Sequence, residues 1–193
     1  MANHHSGRRG DTRSAWKRPP LGQRLDQSRH WAEIALADLV HPALPELNAA
    51  WERAAAAERL VPPSRVTFQP TSVVAALGRI TVLERATLEA TPGGAGEGGA
   101  GTWRYRLVGT AVVDLVQEDF TGRTIEHFHP ALADMLRAQL GRAAEAGRPV
   151  AFTVRAVVDH RPYAYERIVL PVRSAPDVET DQMVLVSMPL AGG

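Results

Sequence analysis

The feature that most constrains this sequence is a change in the spacing of its apolar residues at Pro62-Pro63. Before this proline pair, Leu44, Leu47 and Trp51 recur at helical spacing, which predicts a helix over residues 43–59. After it, apolar and polar residues alternate with a period of two, as in half-buried strands. The chain is therefore expected to combine helices with a sheet.

Strands and helices alternate in a definite order after the proline pair. Strand patterns occupy residues 79–90, 102–108, 150–159, 163–173 and 182–190. Helices are predicted at 111–117 and 130–146, between the second and third strands. Hairpin-length connections make the sheet antiparallel, and the last strand, apolar on both faces, is predicted to be central. The fold class is α+β, with helices on one face of an antiparallel sheet.

The N-terminal part of the chain has a different character. The first 30 residues carry seven basic and two acidic side chains and few apolar ones, so they cannot offset the entropy of ordering. A short helix is predicted from Ser28 to Val40, because Trp31 and Ile34 lie at helical spacing. The predicted segments are a disordered basic arm (1–27), N-terminal helices (28–62) and the main domain (63–190).

Composition excludes several kinds of site. The absence of cysteine excludes disulfides, thiolate metal sites, cysteine nucleophiles and photochemistry through a cysteine adduct. The 22 basic and 21 acidic residues nearly cancel, which argues against a nucleic-acid-binding protein. The sequence contains no run of 18 apolar residues, so no membrane span is predicted. The expected location is the cytoplasm. No nucleophile elbow, HExxH motif or P-loop is present, so we do not predict an enzyme.

A glycine-rich segment at residues 91–101 separates the first two predicted strands. Gly94, Gly96 and Gly99 formally match the GxGxxG pattern of dinucleotide-binding sites. That motif must follow a strand and open a helix, so that backbone amides meet the phosphates at the helix N-terminus. Here a strand follows the glycines, and the segment is predicted to be a flexible loop.

Candidate ligand-binding residues lie around the predicted sheet and helices. Tyr105, Phe120, Phe128, Met135 and Phe152 either line a cavity between the two layers or form ordinary core. His127 is added to this set because His127-Phe128-His129 places two imidazoles near a helix start. They could bind a metal or supply one axial haem ligand; the alternative is surface or capping histidines, and no metal site is predicted.

Charged side chains also recur in the predicted strands. Arg104, Arg106, Arg155 and Arg167, with Glu166 nearby, predict a solvated face of cross-strand charge pairs. The alternative is a surface that binds an acidic ligand or partner.

The segment at residues 103–128, WRYRLVGTAVVDLVQEDFTGRTIEHF, resembles the strand, helix and turn at the front of a PAS domain. The resemblance is to short stand-alone bacterial PAS-like proteins and covers about residues 43–190. Further matching pieces are Pro63-Ser64-Arg65 followed by Pro70, Thr121-Gly122, Gly147-Arg148-Pro149, and Tyr165-Glu166-Arg167 running into Leu170-Pro171. It implies a five-stranded antiparallel sheet in spatial order 2-1-5-4-3, with helices on one face and an N-terminal flanking helix.

The resemblance also implies a function. PAS domains are sensory or protein-interaction modules, so the leading interpretation is a non-enzymatic sensor or adaptor that acts through a partner signalling protein. The alternatives are a sensor that binds a small ligand or cofactor, haem among them, and a small α+β enzyme. The cofactor is left open. PAS-like domains often dimerise through a flanking helix, which implies a homodimer with Leu44, Leu47 and Trp51 as its interaction surface.

Overall fold

The computed structural model of the protein describes residues 30–87, 101–158 and 161–190. The predicted arm at 1–27 lies outside these ranges, as does all of the glycine-rich segment except Gly101. The strands are β1 (His30–Ile34), β2 (Ile80–Thr87), β3 (Gly101–Val108), β4 (Val150–Val158), β5 (Arg161–Val172) and β6 (Gln182–Pro189). The helices are α1 (Ala43–Glu58), α2 (Thr110–Val116) and α3 (Pro130–Ala146), with short 3-10 turns between elements.

The strands of the described residues form one antiparallel sheet in the order β1-β4-β5-β6-β2-β3. Without β1, the strands β3-β2-β6-β5-β4 correspond to the predicted order 2-1-5-4-3. The predicted strand order is therefore confirmed. Strand β6 lies between β5 and β2 and is buried on both faces, as its sequence predicts. The sheet differs from the prediction by its sixth strand.

The two faces of the sheet carry two separate hydrophobic clusters. Side-chain alternation along β5 sends Ile168 and Leu170 to one cluster and Val169 to the other. Helix α1 packs on the first face, whereas α2 and α3 cover the second. The predicted one-sided arrangement therefore holds for α2 and α3, and the flanking helix covers the opposite face.

The proposed interaction surface on α1 is corrected by this packing. Leu44 and Leu47 are fully buried and Trp51 is only 4% exposed. The indole Nε1 of Trp51 donates a hydrogen bond to the carbonyl oxygen of Pro171 at 2.7 Å, which fixes α1 to the end of β5. An amphipathic helix buries its apolar stripe against an available apolar surface. Here the stripe of α1 packs against the first face of the sheet in the same chain. These three side chains are not available to a second chain.

The helix predicted from Ser28 to Val40 was wrong. Residues His30–Ile34 form β1, which pairs with β4 from His30 opposite Arg155 to Ile34 opposite Ala151. Trp31 contacts the ring of Phe152 edge-on, with centroids 5.7 Å apart. Five residues are too few to separate a helical from a strand period, and the open edge of β4 selects the strand by supplying hydrogen-bond partners.

The connection between β1 and α1 is held by a buried carboxylate. Glu166 on β5 is 1% exposed, and its oxygens accept hydrogen bonds from the backbone N–H groups of Val40 and His41 at 3.0–3.1 Å. Backbone donors of this kind satisfy a buried carboxylate in the absence of a basic partner. The carboxylate therefore fixes where α1 begins on the sheet.

Among the residues described, none of the helices has the length and apolar character needed to span a bilayer.

Candidate functional site

A pocket lies between the second face of the sheet and the helices α2 and α3. Its volume is about 140 Å³. The residues that line it come from β2 to β6, from both helices and from the turns between them. They are Arg79, Thr81, Tyr105, Val112, Leu115, Val116, Phe120, Phe128, Leu132, Met135, Leu136, Ala156, Tyr163, Tyr165, Arg167, Leu185 and Ser187. Most of this wall is apolar, and its polar groups are gathered on the strands.

Three aromatic rings form one side of the pocket. Tyr105 meets Phe120 and Phe128 edge-on, with ring centroids 4.5 and 5.7 Å apart, and the two phenylalanines are 5.0 Å apart. Such edge-to-face contacts place the positive edge of one ring on the negative face of another. The three rings therefore hold one another in fixed orientations.

A turn after α2 places Phe120 in this group. The N–H of Thr121 donates to the Asp119 carboxylate at 2.9 Å, and Gly122 adopts φ +85°, a left-handed conformation that favours glycine. The N–H of Gly122 then donates to the carbonyl of Tyr105 at 2.7 Å. The turn is thus bonded to β3 next to the ring that Phe120 contacts.

Burial controls the chemistry of Tyr105. Its side chain is nearly inaccessible to solvent, and burial raises the pKa of the hydroxyl well above its usual range. The positive charge of Arg167 opposes this shift only in part. The hydroxyl therefore stays protonated and neutral at physiological pH.

Helix α2 is held against the sheet by a close contact between two glycines. The N–H of Ala111 donates to the carbonyl of Gly78 at 2.8 Å. A Cβ on Gly109 would lie 2.3 Å from that carbonyl oxygen, so only glycine allows the two backbones to approach this closely. The contact sets the position of Val112 and Leu115 on the pocket wall. Leu115 is 41% exposed and marks where the pocket meets solvent.

Helix α3 supplies the opposite wall. It begins at Pro130, with the His129 Nδ1 accepting a hydrogen bond from the N–H of Ala131 at 3.3 Å, and ends at Gly147 in a left-handed conformation. Its inward stripe places Leu132, Met135 and Leu136 in the pocket wall, and these three are buried.

Arg167 forms the polar end of the pocket. Its Nε donates to Ser187 Oγ at 3.0 Å, its Nη1 to Gln139 Oε1 at 2.8 Å and its Nη2 to the Tyr165 hydroxyl at 3.3 Å. The guanidinium carbon also lies 5.2 Å from the centre of the Tyr165 ring. All three of these partners are neutral, so among the described residues the network positions the guanidinium without compensating its charge.

Gln139, which accepts a hydrogen bond from Arg167, is a buried polar side chain. It is fully buried on α3, and its Nε2 has no hydrogen-bond partner among the described residues. An arginine has only donors, so the amide must turn its oxygen toward Arg167 and leave the nitrogen on the other side. The arginine therefore determines the orientation of the glutamine amide.

A second cation lines the pocket next to Tyr163. Burial raises the pKa of the Tyr163 hydroxyl, and the positive charge of Arg79 and a hydrogen bond from it act in the opposite direction. Arg79 directly precedes β2, and its neighbour Gly78 holds α2. The pocket therefore has a guanidinium on β5 and another at the start of β2.

The sequence of this domain matches a known protein family. A family model described as PAS domain matches residues 39–184, far more than half of the chain. The chain belongs to the PAS-domain family. The match confirms the predicted family. Membership of this family supports the coarse function class of a sensory or signalling module. Neither a curated protein nor a solved structure matches the chain.

Four of the six predicted ligand-binding residues line the pocket of this PAS domain. They are Tyr105, Phe120, Phe128 and Met135. Tyr105 on β3 contacts Phe120 in the turn after α2 and Phe128 ahead of α3, and Met135 joins the wall of the same pocket from α3.

The other two predicted residues lie elsewhere. His127 is about one-third exposed, and its Nε2 lies 2.9 Å from a carboxylate oxygen of Glu118. Phe152 is fully buried as a member of the second hydrophobic cluster, and its ring contacts Trp31 on β1. His129 caps α3, as the alternative interpretation has it. Within the described ranges, no group of three histidine or acidic side chains is arranged to hold a metal ion.

The polar half of the pocket was not predicted from the sequence. Arg167 was expected on a solvated charged face with Glu166, and the structure separates them onto opposite faces of the sheet. Of the other predicted charged strand residues, Arg104 and Arg106 do form exposed pairs with Glu84, at 2.6 and 3.0 Å. The signal that could have found the site is the run Tyr163, Tyr165, Arg167 at every second position of β5.

Proposed function

We propose that this PAS domain is a sensory module whose input is a small ligand bound in the pocket between the sheet and helices α2 and α3. One observation carries the proposal: the domain keeps an open volume of about 140 Å³ where its packing would otherwise be dense. A pocket lined mostly by apolar groups, with a few polar groups converging at one end, is typical of small-molecule sites.

The pocket walls also suggest how occupancy is transmitted. Helix α2 is a two-turn element held at its start by the Gly78–Gly109 contact, and Leu115 on it separates the pocket from solvent. A ligand that contacts α2 differently from water biases the position of this helix. The altered surface is then presented to a signalling partner, which completes the sensory function.

The test is to fill the pocket from the sheet side. Ala156 on β4 is buried and lines the pocket, so Ala156→Leu places a larger side chain inside it. Ala164 on β5 is half-buried and does not line the pocket, so Ala164→Leu is the matched control. A thermal-shift screen of small molecules is run on the wild type and both variants.

We expect compounds that raise the melting temperature of the wild type and of Ala164→Leu, and that leave Ala156→Leu unchanged. Native mass spectrometry of freshly purified protein should show bound mass with the same dependence on the two variants. Compounds that stabilise all three proteins equally would contradict the proposed site, and a screen in which no compound acts on the folded wild type would overturn the proposal.

A further inference from the structure

Within the part of the chain that the structure describes, no acidic side chain pairs with the guanidinium of Arg167 in the pocket. Arg167 uses one N–H on each of its three nitrogens, and all three acceptors are neutral oxygens. Since a guanidinium has five N–H donors, one on each Nη stays unused. The adjacent carboxylate of Glu166 faces the opposite side of the sheet and is occupied by the N–H groups of Val40 and His41.

The surroundings of Arg167 strengthen its attraction to an anion compared with that of an arginine on the surface. Arg167 is half-buried next to an apolar wall, where attraction to an anion is stronger than in water. Arg79 lines the same pocket and adds a second positive charge. Among the described residues, no acidic side chain lines the pocket. An anionic group is therefore the best complement to this end of the site.

The rest of the pocket sets the size and character of the ligand. A cavity of about 150 Å³ lined by apolar side chains accommodates benzene, and this pocket, at about 140 Å³, is of similar size. Clefts for ligands of drug size begin at about 300 Å³. Haem and flavin are at least of that size, so this pocket is too small to enclose them. The rings of Tyr105, Phe120 and Phe128 present edges and faces that suit a compact aromatic or branched aliphatic body.

We propose that the ligand is a small monocarboxylate with a compact apolar body, its carboxylate bound to Arg167 and its body against the aromatic rings. This inference rests on the proposed function, and it names the ligand class of that same pocket. Arginine suits the role because its planar fork of donors matches the two oxygens of a carboxylate.

The experiment compares two probes of nearly the same shape. Benzoate and benzamide differ mainly in charge, and isothermal titration calorimetry at pH 7 measures the binding of each to the full chain. We expect benzoate to bind roughly 10- to 100-fold more tightly than benzamide, as for hydrogen bonds to a charged group. Arg167→Gln should remove this preference. The matched control is Arg155→Gln, an exposed arginine on β4 outside the pocket.

A second arginine variant keeps the test valid if the first variant does not fold. If circular dichroism shows that Arg167→Gln does not fold, Arg79→Gln takes its place, because Arg79 takes no part in the bonds of Arg167 to α3 and β6. In the folded variant, benzoate affinity should fall several-fold while benzamide affinity stays the same. A benzoate affinity that is unchanged in the folded arginine variants would contradict the inference.

The outcomes separate the ligand class from the sensory pocket itself. Equal binding of benzoate and benzamide to the wild type would overturn the carboxylate assignment and leave the pocket as a neutral-ligand site. Binding of neither probe would also overturn it, whereas the proposed function fails only if the Ala156→Leu comparison finds no pocket-dependent ligand.

Discussion

Gly109 is the residue on which the placement of helix α2 depends most directly. Adding a Cβ there brings it within 2.3 Å of the Gly78 carbonyl oxygen and 2.9 Å of the Ile80 carbonyl oxygen, both in backbone that cannot rotate away. We expect Gly109→Ala to lower the free energy of unfolding by about 1–3 kcal/mol, as overpacking does. Urea unfolding followed by tryptophan fluorescence measures the change.

Gly141 provides the matched control for this substitution. It lies within α3, and a Cβ built there meets nothing within 4 Å. Gly141→Ala should therefore raise stability by about 0.5–1 kcal/mol, because alanine loses less backbone entropy than glycine in a helix. If the two variants changed stability in the same direction, the close contact of α2 with Gly78 would not have the importance assigned to it.

Glu166 is the second residue whose removal has a definite consequence. Glu166→Ala leaves the N–H groups of Val40 and His41 without their acceptor, and we expect a loss of about 1–3 kcal/mol in the free energy of unfolding. Glu166→Gln keeps one acceptor oxygen and should lose less. The exposed Glu179→Ala serves as control and should be within about 0.5 kcal/mol of the wild type. A loss no greater than that of the control would show that water replaces the carboxylate without cost.

The sequence predicts apolar site residues better than polar ones. Tyr105, Phe120 and Met135 were identified because large apolar side chains in amphipathic strands and helices, and in the turns between them, are buried in almost any arrangement. Arg167 was not, because a charged residue in an alternating strand has the same pattern whether its face meets water or a pocket. Only the packing of α3, which brings Gln139 over β5, distinguishes the two cases.

At the scale of secondary-structure elements, β1 is the strand whose contribution can be isolated. Deleting residues 1–29 leaves β1 intact, and we expect the melting temperature to change by no more than a few degrees. Deleting residues 1–35 removes the pairing with β4, the Trp31 contact to Phe152 and the Glu33–Arg142 ion pair at 2.9 Å. A loss of about 2 kcal/mol corresponds to roughly 4–8 °C in a chain of this size.

The same comparison tests whether β1 belongs to the folded unit. The family match begins at residue 39, so β1 lies outside the part of the chain that the family model describes. Calorimetry of the two truncated proteins decides the matter. Equal melting temperatures would mean that β1 adds no stability to the sheet.

The end of α1 is expected to make the protein sensitive to acid. Glu58 accepts hydrogen bonds from the hydroxyls of Ser64 and Thr67 and from the Ser64 N–H, and these bonds lower the pKa of its carboxyl below the usual 4.5. A carboxyl whose pKa is lower in the folded state stabilises the fold above its unfolded pKa. This stabilisation is lost as the pH falls through the folded pKa.

Glu58→Gln should therefore reduce the loss of stability between pH 5 and pH 3, since the amide does not titrate. Urea unfolding at several pH values in this window measures the slope, with the exposed Glu52→Gln on the same helix as control. An unchanged slope in Glu58→Gln would contradict a role for this carboxyl in acid unfolding.

Most elements were predictable because their apolar period runs over eight or more residues. Helix α3 occupies the predicted range, and the strands from β2 onward agree within a few residues where the structure describes them. The exceptions are short or depend on partners. Five residues in β1 do not define a period, and α2 begins one residue early because Gly109, rather than Thr110, is its N-cap.

The position of α1 on the sheet determines how the protein responds to the loss of Trp51. Trp51→Ala removes a buried indole and its hydrogen bond to Pro171, and we expect a loss of about 3–5 kcal/mol in the free energy of unfolding. Because the contact lies within one chain, the loss should be the same at all protein concentrations. Trp31→Ala, at a side chain 40% exposed, should lose less.

Sedimentation of wild type and Trp51→Ala completes this test. The two proteins should have the same mass in solution under conditions where both are folded. A shift toward smaller mass, with stability that depends on concentration, would show that α1 also serves an interface between chains.

The layer arrangement of the molecule was only partly predictable. The order of the last five strands followed from the resemblance, and the double burial of β6 followed from its sequence. The helical period of α1 shows that it buries Leu44 and Leu47, but it cannot show against what. A second sheet face and a second protein chain offer the same kind of apolar surface, and the three-dimensional packing selects the sheet.

The opposite placement of Glu166 and Arg167 has a consequence for how the sheet finds its register. From Ile168 to Val172, β5 is apolar on both faces, so a slip of one residue would still bury apolar side chains, and hydrophobic contacts alone discriminate weakly against it. A slip of one residue in either direction would carry the Glu166 side chain to the face covered by α3 and the Arg167 side chain to the face covered by α1. Both side chains would leave their hydrogen-bond partners, and the N–H groups of Val40 and His41 would lose their carboxylate acceptor. Two consecutive ionised residues thus exclude misaligned sheets that the apolar pattern would tolerate.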